Sequence, residues 1–309
     1  MHRFWRALML IATTLVILAG CSSAPGQGQT GSASDRSAQG VSGDGGAVPS
    51  RKVTKVLVFI EENHSMRQMQ QGMPYTFHLA KKYGYATSYF AVSHPSLPNY
   101  IAIAGGQTYG ITDDDSPGSH HLTGSSVFGQ AIREGKTAGV YVDGMPHNCA
   151  VEDGGNDYAV KHNPWPYFVR EERQCAANDV PVGRLTTAIA HGRLPNVGMV
   201  VPNRCHDAHD CSLAVADDWF KGYMTKIFAG PDWRSGHLAV VVTADEDDHS
   251  SNNKVLTVVI HPSQHGKVVK TRFDHYALTR LYEDVVGAPR LHQAASAASM
   301  AKAFGLPIG

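Results

Sequence analysis

The sequence has no charge of either sign to spare. Its 27 Lys and Arg stand against 27 Asp and Glu over 309 residues, and charged residues make up only 17%. A nucleic-acid-binding chain carries a basic excess and a solvating tail an acidic one, so the balance argues against both. Cysteine is scarce, five in all, and no two have CxxC spacing, which argues against a thiolate metal site. Familiar catalytic signatures are missing too: there is no GxSxG elbow, no HExxH, no P-loop and no Arg-His-Gly run. What is there is a globular composition, 42% apolar, long enough for one large or two small domains. Histidine is the surplus residue, with 17 copies, and it points to metal, proton-transfer or phosphate chemistry without choosing among them.

Part of the length is not fold. Arg3 and Arg6 precede an apolar run from Ala7 to Leu18, too short for an ordinary spanning helix. Leu18-Ala19-Gly20-Cys21 then resembles a bacterial lipobox, so residues 1–20 are expected to be a lipoprotein signal peptide and Cys21 its lipidation site. Residues 21–50 are Gly, Ser, Ala and Gln with almost no large apolar side chain, as in a flexible tether. A formal GxGxxG match at Gly26–Gly31 has no strand before it and no helix after it, and is discarded. Residues 51–309 form the expected folded domain, extracytoplasmic, held to the cell membrane by the lipid anchor or secreted. Four cysteines remain for it. Cys205 and Cys211 are close enough to staple a loop, and Cys149 with Cys175 makes the other expected disulfide.

Val53–Ile60, Ala138–Val142, Val197–Val201 and Leu238–Val242 are near-continuous apolar runs of strand length, as in strands buried on both faces of a parallel sheet. Val255–Ile260 adds a further strand. Helical stretches fall between them, near 76–83, 182–192, 216–228 and 275–286. This alternation predicts an α/β fold, a three-layer α/β/α sandwich with a mostly parallel central sheet. The residues after each strand carry the chemistry. Ile60 runs into Glu61-Glu62-Asn63-His64, Val201 into Pro202-Asn203 and then Asp207-Ala208-His209-Asp210, and Val242 into Asp245-Glu246-Asp247-Asp248. Ligands of open parallel sheets bind beyond the carboxyl ends of the strands, so three acidic clusters converge on one edge. Carboxylates gathered there need a cation, a shared proton or escape into water. Hard oxygen donors with a few His suit Mg, Mn, Ca or Zn. Between the first two long strands stands His94-Pro95-Ser96-Leu97-Pro98-Asn99-Tyr100. Here two prolines fix the backbone around Ser96, and the apolar run after Asn99 is able to open a helix.

These stretches, with Lys161-His162-Asn163-Pro164-Trp165 and His275-Tyr276-Ala277-Leu278, resemble the phosphoesterase family of bacterial acid phosphatases and non-specific phospholipases C. That family lies within the alkaline-phosphatase-like superfamily, and the likeness is nearest to its mycobacterial secreted acid phosphatase type. The six motifs keep their order from about Val53 to Pro289. The resemblance implies a divalent metal ion held by Glu62, Asn63, Asp245 and Glu246. It implies Ser96 as nucleophile, with Asn99 beside the phosphoryl oxygens. His209 and Asp210, with Asn203 and Asp207 nearby, match the His-Asp loop facing the phosphate or a second cation. His275 matches a late His at the site, and His162 lies within a matching motif as a candidate substrate contact. Ala208, Ala244 and His249 depart from the residues usual at those places, and touch the pocket walls rather than the proposed ligands.

The expected function is an exported, metal-assisted phosphomonoesterase of acid phosphatase type, acting on small phosphate esters through a phosphoserine on Ser96. His209 and His275 are the candidates for general acid. Two rivals stand beside it. One is a phosphodiesterase such as a phospholipase C, disfavoured because such members often carry further C-terminal β-domains and this chain ends soon after its last predicted helix. The other is a non-catalytic binding lipoprotein, for which Ser96 in its Pro-rich setting has no use. No nucleic acid and no obligate protein partner are expected.

Overall fold

The computed structural model describes residues 51–308; the expected signal peptide, Cys21 and the expected tether of residues 21–50 lie outside the described residues. The chain begins with β1 (Lys55–Glu61), α1 (Met66–Gly72), α2 (Pro74–Lys82), β2 (Gly84–Ala86) and β3 (Tyr89–Phe90). Then come α3 (Ser96–Gly105), α4 (Val127–Arg133), β4 (Ala138–Val142), α5 (Glu172–Asn178), β5 (Asp179–Pro181), α6 (Gly183–Ala190) and β6 (Val197–Val201). The remainder is α7 (Leu213–Ala229), α8 (Pro231–Arg234), β7 (Leu238–Ala244), β8 (Thr257–Ile260), β9 (Lys267–Val269), β10 (Phe273–Asp274), α9 (His275–Val286) and α10 (Met300–Phe304).

β1 is the centre of the sheet because its side chains are apolar on both faces. Val56 through Ile60 are all buried, and each such side chain contributes roughly 1.5–3 kcal/mol. The eight strands lie in the order β5-β4-β6-β1-β7-β8-β2-β9, and β5, β4, β6, β1 and β7 run parallel. Helices α1, α2, α6, α7 and α8 form one mutually packed layer, and α3, α4 and α9 another. Phe59 of β1 meets Phe220 of α7 edge-on at 5.0 Å, while the Tyr282 hydroxyl of α9 donates to the Gly198 carbonyl of β6 at 2.7 Å. The three-layer sandwich expected from the sequence is the observed architecture.

β8 departs from the parallel pattern by running antiparallel to β7 and to β2. Residues 245–256 return the chain directly, without the crossover helix that a parallel neighbour needs. No helix among the described residues is long and apolar enough to cross a membrane. Both expected disulfides are present, Cys149–Cys175 and Cys205–Cys211.

Register places the chemistry. Glu61 pairs with Ala244 across β1 and β7, and Phe59 with Val200 across β1 and β6. The residues after all three strands therefore leave the sheet at one level. Backbone bonds fasten these exits together: Glu62 N–H donates to Asp207 O at 2.8 Å, and Asp245 N–H to Glu61 O at 2.9 Å.

Candidate active site

Ser96 opens α3, four residues earlier than the run after Asn99 implied by itself. Pro95 caps the helix and Pro98 falls in its first turn, where a missing N–H costs no intrahelical bond. Gly106 ends it in the left-handed region at φ 71°, where an added Cβ would lie 2.6 Å from Leu291 O. Every residue of α3 is buried, so Ser96 stands on a fixed support.

The Ser96 hydroxyl reaches Glu62 Oε2 at 3.1 Å and Glu246 Oε1 at 3.3 Å. One turn along α3, the Tyr100 hydroxyl donates to Glu62 Oε1 at 2.6 Å. His162, in the single 3-10 turn Val160–His162, lies flat against Tyr100 with ring centroids 5.2 Å apart. Its Nε2 is 3.3 Å from Glu62 Oε2 and its Nδ1 3.3 Å from Asp207 Oδ2. Glu62, His162 and Asp207 thus offer three ligand atoms within 4.8 Å of one another. Asn63 sits in the left-handed region at φ 49°, with its N–H on Asp245 Oδ1 at 3.3 Å.

Glu62, Asp207, Asp245 and Glu246 are all buried. Burial pushes Asp207 and Asp245 up to about 7, and burial with the neighbouring Asp245 pushes Glu246 up to about 9. Glu62 is raised as well, by burial and then by Asp245 and Asp207. Asn63 Oδ1, Asp207 Oδ2 and Asp245 Oδ2 are buried without a hydrogen-bond partner. Repelling carboxylates beside orphaned oxygen acceptors are the donor set of a hard divalent cation, and the residues present fit one.

The structure draws most of the other candidates close and separates a few. His209 lies at the rim, its ring 6.0 Å from that of His162 and partly exposed. Asp210 is exposed and accepts from His209 Nδ1 at 2.7 Å, so it orients that ring rather than entering the site. Asn203 braces the loop through His206 N–H and Asn156 O. Asn99 spends its carboxamide on the turn before the helix, accepting from Val92 and Ser93 N–H and donating to Ser93 and Pro95 O, with Glu246 Oε2 at 3.5 Å. His275 is sealed behind the site, with Nε2 2.5 Å from Asp245 O and Nδ1 3.1 Å from the Tyr89 hydroxyl. Burial lowers it to about 4. Both of its nitrogens are engaged, which leaves His209 as the only one of the two candidate acids facing solvent.

Three neighbours were given no role by the sequence reading. Tyr100 is four residues from Ser96, a spacing that puts both on one helix face and was available as a signal. His94, beside the same Pro-Ser pair, has Nδ1 2.6 Å from Glu246 Oε2 and stacks on His249 at 3.9 Å. Asp114 accepts from Leu97 N–H at 2.9 Å and from Lys161 Nζ at 2.9 Å, a bridge that no local pattern announces. A larger cavity of about 680 Å³ opens near Lys55, Ala138 and Pro195, at the amino ends of the strands, with no carboxylate cluster in its wall. Size does not locate the site here; the convergent carboxylates do.

A family model described as the phosphoesterase family matches residues 57–289, three-quarters of the chain. The chain belongs to the phosphoesterase family. Among its relatives is a phosphatidylinositol-3-phosphatase of Mycobacterium tuberculosis, 28% identical over 256 residues, covering 81% of this chain and 82% of that one. A phosphate-repressible acid phosphatase of Penicillium chrysogenum is 29% identical over 227 residues, covering 69% of this chain and 54% of that one. The chain spans about half the length of the fungal family members it matches. Among solved structures, a protein of the alkaline phosphatase superfamily from Vibrio parahaemolyticus superposes with a TM-score of 0.53 at 10% identity, over 81% of this chain and 71% of that one. A phosphonate monoester hydrolase of Agrobacterium radiobacter gives 0.52 at 11% identity, over 76% and 74%. At such identities the likeness is one of fold.

Tyr100 gives a first prediction within this family site. Tyr100→Phe leaves the ring packed on His162 and removes only the donor to Glu62. Metal affinity, measured by calorimetric titration of the chelated protein, should fall about 10–100-fold with the fold intact, as for other supports of a ligand. Unchanged affinity would show that Glu62 needs no such support.

Proposed function

We propose that the protein is an exported, lipid-anchored, metal-assisted phosphomonoesterase of acid phosphatase type working through a phosphoserine on Ser96. The observation that carries this reading is the Ser96 hydroxyl at the start of a buried helix, in contact with two of the convergent carboxylates. Glu62, Asn63, Asp245 and Glu246 would hold a divalent cation, which supplies charge neutralisation for the phosphoryl group and favours the ionised form of a nearby hydroxyl. Ser96 Oγ attacks phosphorus in line as the bond to the leaving oxygen breaks, and its proton has Glu62 and Glu246 as acceptors. His209, held by Asp210 through Nδ1, presents its other nitrogen to protonate the leaving alcohol, a contribution typically worth about 10²–10⁴ in rate. Water then hydrolyses the phosphoserine with the same groups in reverse. Lys161 lines the approach beside His209 and is tied to the Leu97 end of the helix through Asp114, with His162 buried behind them. The disulfides accord with a chain matured outside the reducing cytoplasm.

The relatives' names support phosphatase chemistry and leave monoester against diester to experiment. Parallel assays of a chromogenic phosphomonoester and its matching diester, with and without chelator, decide it. Chelator-sensitive turnover with the monoester strongly preferred is expected. Preference for the diester would favour a phospholipase-type phosphodiesterase, and no turnover with any divalent metal would favour a binding protein.

A further inference from the structure

Lys161 and His209 face a polar cavity of about 310 Å³ whose wall also holds Arg204 and the carboxylates Asp114, Asp115, Glu152 and Asp153. Asp114 ties this cavity to the nucleophile helix through Leu97 N–H, the residue after Ser96. Glu152 also lines a second hollow, a groove of about 450 Å³. Trp165, Phe168 and the Cys149–Cys175 disulfide give that groove an apolar lining. Val151 and Val169 stand in its wall, 47% and 40% exposed. Only two other large apolar side chains among the described residues are as open to water, and both lie elsewhere. Glu152 and Glu172 contribute the groove's only formal negative charge, and neither Lys nor Arg lines it.

Going outward from Ser96, the surface is therefore polar and of mixed charge first, with Lys161 and Arg204 set among carboxylates, then apolar with an anionic margin. We infer that the groove is the leaving-group subsite, and that the substrate is the phosphate monoester of a neutral amphiphilic alcohol. Its polar end would lie against Lys161 and His209 and its hydrocarbon part in the groove. The commitment to this occupant rests on continuity, since Glu152 belongs to both hollows and the first abuts the catalytic helix. The acidic margin disfavours a leaving group that carries a second phosphate, which would meet Glu152 and Glu172 with no cation to compensate. This inference rests on the phosphatase reading above and narrows its substrate class.

The test is a homologous series of straight-chain alkyl phosphates, from butyl to dodecyl, kept below their micellar concentrations, with release of inorganic phosphate as readout. p-Nitrophenyl phosphate serves as the short reference. In the native protein kcat/KM should rise with chain length, by up to about fourfold per added methylene until the groove is filled. Val151→Asp with Val169→Asp should flatten that rise and leave p-nitrophenyl phosphate turnover unchanged; both positions are exposed, so the change is compatible with folding. A flat series in the native protein, with the reference turned over, would overturn the subsite alone. A double variant that keeps the full rise would overturn it as well. If native protein is dimeric and the double variant monomeric with the series unaltered, the groove is a self-association surface and the inference fails. Absence of turnover on every ester would overturn the phosphatase reading and the subsite with it.

Discussion

Ser96→Ala should lower phosphomonoester turnover by at least about 10³-fold, the scale seen when a nucleophile is removed from a site whose parts act as a unit. The fold should survive, because the substitution deletes one oxygen at the first turn of α3 and places a good helix former there. The lost hydroxyl donates only to Glu62 and Glu246, two acceptors that already repel. Melting temperature and metal binding measured on the same sample separate loss of chemistry from loss of structure. A second readout is covalent. Rapid acid quenching of native protein with substrate should trap a mass increase of one phosphoryl group on the peptide carrying Ser96, and the variant should show none. Full activity in Ser96→Ala would remove the serine from the mechanism and leave direct attack by water.

Asp245→Asn should have the other large effect, and its sign differs between the metal-free and metal-loaded protein. In the metal-free protein Asp245 is a buried carboxylate among three others, so neutralising it relieves repulsion and should raise the melting temperature. In the presence of the ion the native protein should gain stability by mass action, about 2.7 kcal/mol at a hundredfold excess over Kd. For a domain of this size that corresponds to roughly 5–10 °C. Asp245→Asn should lose most of this gain together with the activity. The carboxylates that must ionise to hold the ion are those that burial raises, Asp207 and Asp245 to about 7 and Glu246 to about 9. Protons compete with the ion there, so the metal-dependent stabilisation should shrink as pH falls below about 7. Thermal scans with chelator and with Mg, Mn, Ca or Zn at two pH values test each part. A metal-induced shift that survives in Asp245→Asn would take that residue out of the donor set.

The long strands were legible because each is an unbroken apolar run, which only a doubly covered sheet can bury. The acidic exits after β1, β6 and β7 were legible for a related reason, since parallel strands ending at one level must bring their next residues together. β2 and β9 were not, because three residues carry no period and owe their state to the neighbours they pair with. The direction of β8 was hidden as well, since buried parallel and antiparallel strands look alike in apolar content. Side-chain assignments fared differently according to where the partner lies. Ser96 reads as a nucleophile through the family motif that surrounds it, not from its Pro-rich turn alone. Asn99 reads as a phosphoryl contact by motif, yet its carboxamide is spent on backbone groups of residues 92–95, and only coordinates reveal that competition. His275 likewise stands at the right place in the chain and behind the site in space. Asp114 reaches Leu97 and Lys161 from 17 and 47 residues away, a bridge of tertiary origin.

The complete burial of α3 has a consequence for how such a protein diversifies. A helix enclosed along its whole length cannot accept substitutions that retune the nucleophile without disturbing the core around it. The segments 107–126 and 143–171 are constrained only in part: they contain no strand of the sheet and no helix longer than a single 3-10 turn, and they alternate buried anchors such as Trp165 and Tyr167 with exposed positions such as Val151 and Val169. They also supply Asp114, Lys161 and most of the wall of the outer groove, the rest coming from α5. The support of the nucleophile is thus rigid, and the exposed positions of the rim are adaptable. A change of leaving group is most easily accommodated at the exposed rim positions, without disturbing α3.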